Sequence, residues 1–139
     1  MKLVQDLMTR TLLTHTPEDT LQAVEKTMAE HQIRHIPVVN SDGQIAGLLS
    51  QKEFLAEAFR ITDKFGAHNL QTYLAKTPIS QCMKKEVATV APDMPLAEAG
   101  KLLKEKRHAC LLVSADGQHL DGMLTSRDFV RLAINLLEQ

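Results

Sequence analysis

Gly47-Leu48-Leu49-Ser50-Gln51-Lys52-Glu53-Phe54 returns, 75 positions on, as Gly122-Met123-Leu124-Thr125-Ser126-Arg127-Asp128-Phe129. Each copy runs from a glycine through a short apolar stretch to a hydroxyl residue, with an acid three places later. That is the pattern of a strand feeding directly into a helix, with Ser50 and Thr125 as N-caps. Outward from this stretch, the same offset matches Met8 with Met83, Thr14 with Thr89, Pro17 with Pro92, Leu21 with Leu96, Lys26 with Lys101 and Glu30 with Glu105. Ala58 likewise falls opposite Ala133. A slip of one residue then brings Val39-x-x-Asp42-Gly43-Gln44 onto Val113-x-x-Asp116-Gly117-Gln118. The matches fall at turns and apolar positions, where architecture is specified, so the chain reads as an internal repeat.

Both copies carry the same element order. A short apolar-polar turn (Val4 to Met8; Ile79 to Met83) leads through an extended stretch (Leu13 to His15; Ala88 to Val90) to a proline that precedes a helix. In the first copy Asp19 and Gln22 resemble a capping box, followed by Leu21, Val24 and Met28 at helical spacing. In the second, Pro95 suits a first helical position, and Leu96, Ala99, Leu102 and Leu103 form the buried stripe. Ile36-Pro37-Val38-Val39 and Cys110-Leu111-Leu112-Val113 suit buried strands. Each ends at an Asp-Gly turn, after which a second strand (Ile45 to Leu49; Leu120 to Leu124) completes a hairpin. The predicted class is α+β, with tandem βαββα repeats over residues 1–60 and 79–139 and a connector over 61–78 that ends in Thr77-Pro78. One copy cannot bury both faces of its sheet and helices. The two are therefore expected to stack about a pseudo-twofold axis as one module, with a ligand cleft between them.

The 139 residues are enough for such a module, and 44% apolar with 24% charged residues is an ordinary globular composition. A net charge of −1, from 16 basic and 17 acidic side chains, supplies no field for a nucleic-acid backbone. There is no apolar run of ~20 residues and no signal-like N-terminus, so no membrane partner and a cytoplasmic location are expected. Cys82 and Cys110 lack any C-x-x-C pairing and read as small buried residues.

The chemistry concentrates at the strand-to-helix junctions. In the second copy Gly122 permits close approach, Thr125 and the first helix amides can meet an anion, Arg127 adds charge and Asp128 can accept from vicinal hydroxyls. Phosphate and ribose would both be served. The first copy offers Gly47, Ser50, Lys52 and Glu53, where the carboxylate lies about 1.5 Å farther out than an aspartate would place it. The second site is therefore expected to be the stronger.

These junctions, together with Arg34-His35-Ile36-Pro37-Val38-Val39 and the proline-preceded helix, resemble a cystathionine-β-synthase-type (CBS) domain pair, or Bateman module, over nearly the whole chain. The resemblance implies a stand-alone regulatory module that senses AMP, ADP, ATP or S-adenosylmethionine and requires no cofactor. Carried over by position, it implicates Thr89, Val90, His108, Ala109, Cys110, Thr125 and Asp128, beside Arg127, in the stronger site. In the weaker it implicates Thr14, His15, Arg34, His35, Ile36, Ser50 and Glu53, beside Lys52.

The structural alternative is that Ser50 and Thr125 simply cap helices whose dipoles Glu53 and Asp128 complement. No nucleophile-base grouping marks an enzyme, and His31 with His35 straddles a helix end, so no metal site is expected. Lys84-Lys85 and Lys104 to Arg107 read as solvated faces. Two apolar stripes on the last helix (Phe129, Leu132, Ala133, Leu136; Val130, Ile134, Leu137), echoed by Phe54, Leu55, Ala58, Phe59 and Ile61, are too much for packing on one side. They predict a homodimer. The alternative function is a dimerising interaction scaffold with a vestigial cleft.

Overall fold

The β-branched, apolar run that ends in Val38-Val39 forms strand β1 (His35–Val39), and Ile45–Ser50 returns antiparallel to it as β2. Between them Gly43 takes φ 79°, in the left-handed region that suits glycine, and Asn40 Oδ1 accepts the Asp42 and Gln44 amides. Residues 2–106 and 108–139 are described by this computed structural model, so Arg107, placed above among the solvated residues, lies outside them. In the first-repeat unit, Leu13–Glu86, helix α2 (Leu21–His31) precedes the hairpin and α3 (Gln51–Phe65) follows it. Leu21, Val24, Met28, Ile36, Val38, Leu49, Phe54 and Ile61 make one buried cluster.

The second-repeat unit joins Met1–Leu12 to Val87–Gln139. Its sheet is β3-β4-β5, with β3 (Thr89–Val90) parallel to β4 (Cys110–Val113) and β4 antiparallel to β5 (Gly122–Thr125). Helices α5 (Leu96–Glu105) and α6 (Ser126–Leu137) complete it, around Val90, Leu96, Ala99, Leu103, Leu111, Val113 and Leu124. The short helix α1 (Val4–Leu7) adds Val4 and Leu7 to that core, and Asp6 caps it by accepting the Leu3 amide at 2.9 Å.

Compact units and sequence repeats thus exchange their leading segments. Thr9 pairs with Met123 of β5, and Lys84 pairs with Leu48 of β2, each through two reciprocal backbone hydrogen bonds of 2.9–3.0 Å. The two pairs are related by the same 75-residue offset.

Several local readings are corrected. The polar connector is largely helical. Helix α3 runs on to Phe65, a short 3₁₀ turn follows, and α4 (Leu70–Leu74) buries Leu74 completely. Tyr73 stacks on Phe65 at 3.9 Å, which ties the segment to the first-repeat core. The N-cap of α2 is Thr20, whose hydroxyl accepts the Ala23 amide, while Asp19 turns back to the Thr16 amide. Pro95 precedes α5 rather than opening it, and β5 starts at Gly122, not Leu120. Strand pairing keeps the 75 offset through the hairpin: Ile36 faces Leu49 as Leu111 faces Leu124. The one-residue slip therefore starts beyond Val38, where β1 carries a bulge and the two Asp-Gly turns differ in place.

Candidate functional site

Thr125 ends β5 and stands at the N-cap of α6, which puts Asp128 in the first helical turn. The Asp128 carboxylate is buried, and its Oδ2 accepts the Thr125 main-chain amide at 2.8 Å while Oδ1 accepts from Arg131 Nη2 at 2.8 Å. Each oxygen also meets a hydroxyl at 3.5 Å, Thr125 Oγ1 at Oδ2 and Thr9 Oγ1 at Oδ1. That is the outer limit of a hydrogen bond. The Asp128 carboxylate thus reaches from the first helical turn back to the main chain at the strand end, the return half of a capping box. Arg127 is exposed beside it.

Cys110 faces Thr125 across the β4–β5 ladder, with His108 and Ala109 exposed just before it. Burial pushes the Cys110 thiol up to about 12, and the Asp128 charge acts in the same direction. Thr89 is exposed and Val90 buried, but β4 separates both from the junction. Two strand spacings put β3 roughly 10 Å from β5. Thr125, Asp128 and Cys110 are therefore close neighbours, whereas Thr89 and Val90 stand against Leu112 and Val113 on the other side of β4.

At the first-repeat junction the Ser50 hydroxyl donates to the Glu53 carboxylate, and Lys84 Nζ lies 3.9 Å from Glu53 Oε1. The first amide of α3, at Gln51, donates to the Arg34 carbonyl at 2.8 Å. Among the described residues Ser126 makes no matching bond to Ala109. His35 pairs with Ser50 in the ladder, and burial holds its imidazole below the usual range against the opposing pull of Glu53. Ile36 is fully buried in the first-repeat core, opposite Leu49 in the ladder. Thr14 and Lys52 are exposed. The His15 ring is engaged on both nitrogens, by Asp19 and by Thr27, each at 2.8 Å.

The expectation that Gly47 and Gly122 make room for a ligand is corrected. A Cβ on Gly47 would lie 2.5 Å from the Lys84 carbonyl oxygen, and one on Gly122 would lie 2.6 Å from Met8 Sδ and 3.1 Å from the Thr9 carbonyl oxygen. The space is filled by the chain's own exchanged segments. Thr9, Lys84 and Arg131 were not among the expected site residues. Thr9 and Lys84 share the repeat offset, and Arg131 lies three residues beyond Asp128 on a helix, so both signals were present.

Among the described residues no three His, Cys, Asp or Glu side chains gather as a metal site, and no helix is long and apolar enough to cross a membrane. His31 ends α2 and His35 opens β1.

The pattern of the CBS domain matches residues 4–60 and again 79–135. A CBS domain-containing protein of Dictyostelium discoideum is 29% identical over 139 residues, covering 98% of this chain and 94% of its own. The crystal structure of a Vibrio cholerae protein assigned to acetoin utilization, AcuB, superposes with a TM-score of 0.84 at 33% identity, covering 99% of this chain and 94% of that one. CBSX2, a CBS-pair protein from Arabidopsis thaliana solved in complex with AMP, superposes at 0.80 with 26% identity and 98% coverage of both chains. With two domain matches 75 residues apart and two hairpins of equal register, each running directly into a helix, the chain belongs to the CBS domain family as a tandem pair.

Proposed function

We propose that this CBS pair is a regulatory module that senses an adenosine derivative, AMP, ADP, ATP or S-adenosylmethionine, with its stronger binding station at the junction of β5 and α6. The observation that carries the reading is the state of Asp128. Its two short bonds, to Thr125 N–H and Arg131, hold it in place, while two hydroxyl contacts at 3.5 Å are long enough to be exchanged. Vicinal ribose hydroxyls would replace both with bonds of normal length to an ionised acceptor. That exchange leaves the Thr125 hydroxyl and Arg127 for phosphate, and the exposed main chain at His108 and Ala109 for the base. The AMP complex of CBSX2 supports the same ligand class. Ligand acts as a regulator by binding two arrangements of the protein with different affinity, and the output passes to a partner protein. The reading assigns no catalysis to this chain. It places the chain in the cytoplasm, in keeping with two free thiols.

Thermal unfolding with and without ~1 mM AMP, ATP or S-adenosylmethionine tests it. A ligand with Kd near ~10 μM adds about 2.7 kcal/mol of stability. Tm should then rise by several degrees, and the absence of any shift with all three ligands refutes the reading.

A second reading, a dimerising scaffold with a vestigial site, is favoured by one repeated observation. Leu55 and Phe59 on α3 are exposed, and so are their equivalents Val130 and Ile134 on α6, with Phe59 at 73% and Leu137 at 83%. An apolar pair left in solvent at the same two positions of each repeat fits helix surfaces that are covered in a homodimer. Sedimentation should give twice the 15.5 kDa chain mass. Phe59→Glu with Ile134→Glu should return the monomer, and a wild-type monomer at micromolar concentration excludes the dimer.

A further inference from the structure

Each junction acid is shielded from solvent and carries one solvent-facing cation, but the cation comes from a different element in each repeat. Asp128 Oδ1 accepts from Arg131 Nη2 at 2.8 Å, with the acid 7% and the arginine 60% exposed. Glu53 Oε1 lies 3.9 Å from Lys84 Nζ, with exposures of 14% and 62%. Arg131 stands on α6, three residues beyond its acid. Lys84 stands on the exchanged segment, bonded through its main chain to Leu48 of β2.

The offset of 75 relates both positions across the repeats: Arg131 corresponds to Ala56, and Lys84 to Thr9. Where the helix supplies the cation, the exchanged segment carries a neutral residue. Where the helix has alanine, the exchanged segment carries lysine. The two seats on that segment are alike, because Thr9 is bonded to Met123 as Lys84 is to Leu48. The Thr9 hydroxyl stands 3.5 Å from Asp128 Oδ1, the same oxygen that Arg131 holds.

We propose that Arg131 is the positioning residue of the β5–α6 station, and that position 9 is a second seat from which a cation can hold the same carboxylate. The part of this that concerns ligand rests on the adenosine reading, in which Asp128 accepts from ribose hydroxyls. The Thr125 amide fixes Oδ2 and Arg131 fixes Oδ1, so the plane of the carboxylate is set at both ends. A carboxylate oxygen has room for two donors, so one cation and one ribose hydroxyl fit on Oδ1 together. Without Arg131 the carboxylate can turn about its bond to the Thr125 amide, and a shielded charge is left without its partner.

The test is calorimetric titration of AMP and of deoxy-AMP, which lacks one of the vicinal hydroxyls. The proteins are wild type, Arg131→Ala, Arg131→Lys, and Arg131→Ala combined with Thr9→Lys. Wild type should prefer AMP. In Arg131→Ala the AMP affinity should fall about ten-fold, the worth of one hydrogen bond to a charged group, and deoxy-AMP should lose less, so the preference shrinks. Arg131→Lys should keep most of it. The double variant, which installs the first repeat's arrangement at the second junction, should restore it. A merely structural arginine would weaken both ligands alike. Equal weakening, or a double variant no better than Arg131→Ala, overturns the proposal. Thermal unfolding without ligand keeps this result separate from the nucleotide reading: Tm should fall in Arg131→Ala and recover in the double variant. If wild type binds no AMP the nucleotide reading fails, and the Tm comparison alone decides the second seat. A Tm that does not recover overturns it.

Discussion

Replacing Gly47 by alanine should cost far more than the same change at Gly122, although the two glycines are equivalent in sequence. At Gly47 the new Cβ would sit 2.5 Å from the Lys84 carbonyl oxygen and 2.9 Å from Met83 Sδ. The carbonyl belongs to backbone held by two 2.9 Å hydrogen bonds to Leu48, so it cannot retreat without breaking that pair. Losing the pair costs about 1 kcal/mol per bond, and forced overpacking adds about 1–3 kcal/mol. Against this, alanine regains about 0.4–1 kcal/mol by restricting the unfolded chain. The net loss is roughly 2–5 kcal/mol, or a fall in Tm of about 6–18 °C for a chain of this size. At Gly122 the nearest atom is the thioether of Met8, the end of a flexible side chain that can rotate away, and the Thr9 carbonyl stands off at 3.1 Å. There the net loss should be at most about 1 kcal/mol. Urea unfolding of both variants, with matched m-values, measures the difference. A Gly122→Ala cost equal to or larger than that of Gly47→Ala would refute the claim that the Lys84 carbonyl is the less yielding of the two obstacles.

Leu74→Ala should destabilise by about 2–5 kcal/mol, because Leu74 is fully buried in the first-repeat core; a loss under about 1 kcal/mol would return the segment to the status of a loose connector. Backbone amides of Leu3 and Lys2 hold the Asp6 carboxyl below the usual range. Its charged form is thus favoured by folding. The stability gap between wild type and Asp6→Asn should be full above the unfolded carboxylate value of about 3.9 and close as pH falls through the lower folded value. A gap that widens in acid contradicts this. Burial pushes the Cys82 and Cys110 thiols up to about 11 and about 12, so both should resist iodoacetamide at pH ~8 until the chain unfolds. Rapid alkylation of native Cys110 would show that β4 is not closed over it.

The repeat was legible because it lies in local signals. Ile36 to Val39, the Asp-Gly turns and the Ser50 and Thr125 junctions each announce an element within a few residues, and all four strand-helix boundaries fall near where those signals place them. Errors came where neighbouring residues compete or where the partner is distant. Asp19 and Thr20 are both good cap residues, and only the three-dimensional turn, which takes Asp19 back to Thr16, decides for Thr20. In the connector, Ile61, Phe65, Leu70 and Leu74 recur at four or five residues, a helical signal that Gly66 and the final Thr-Pro outweighed. The gaps at Gly47 and Gly122 were read correctly as close approaches, but what approaches is a segment about 40 or 115 residues away in sequence, which no local pattern names. For the same reason no local pattern brings Thr9 to Asp128, which it meets from 119 residues away.

Calorimetric titration of AMP into wild type, Asp128→Asn and Glu53→Gln tests the central claim most directly. The account predicts one dominant binding event per chain, abolished in Asp128→Asn and retained in Glu53→Gln. Binding that survives in Asp128→Asn and is lost in Glu53→Gln would contradict it.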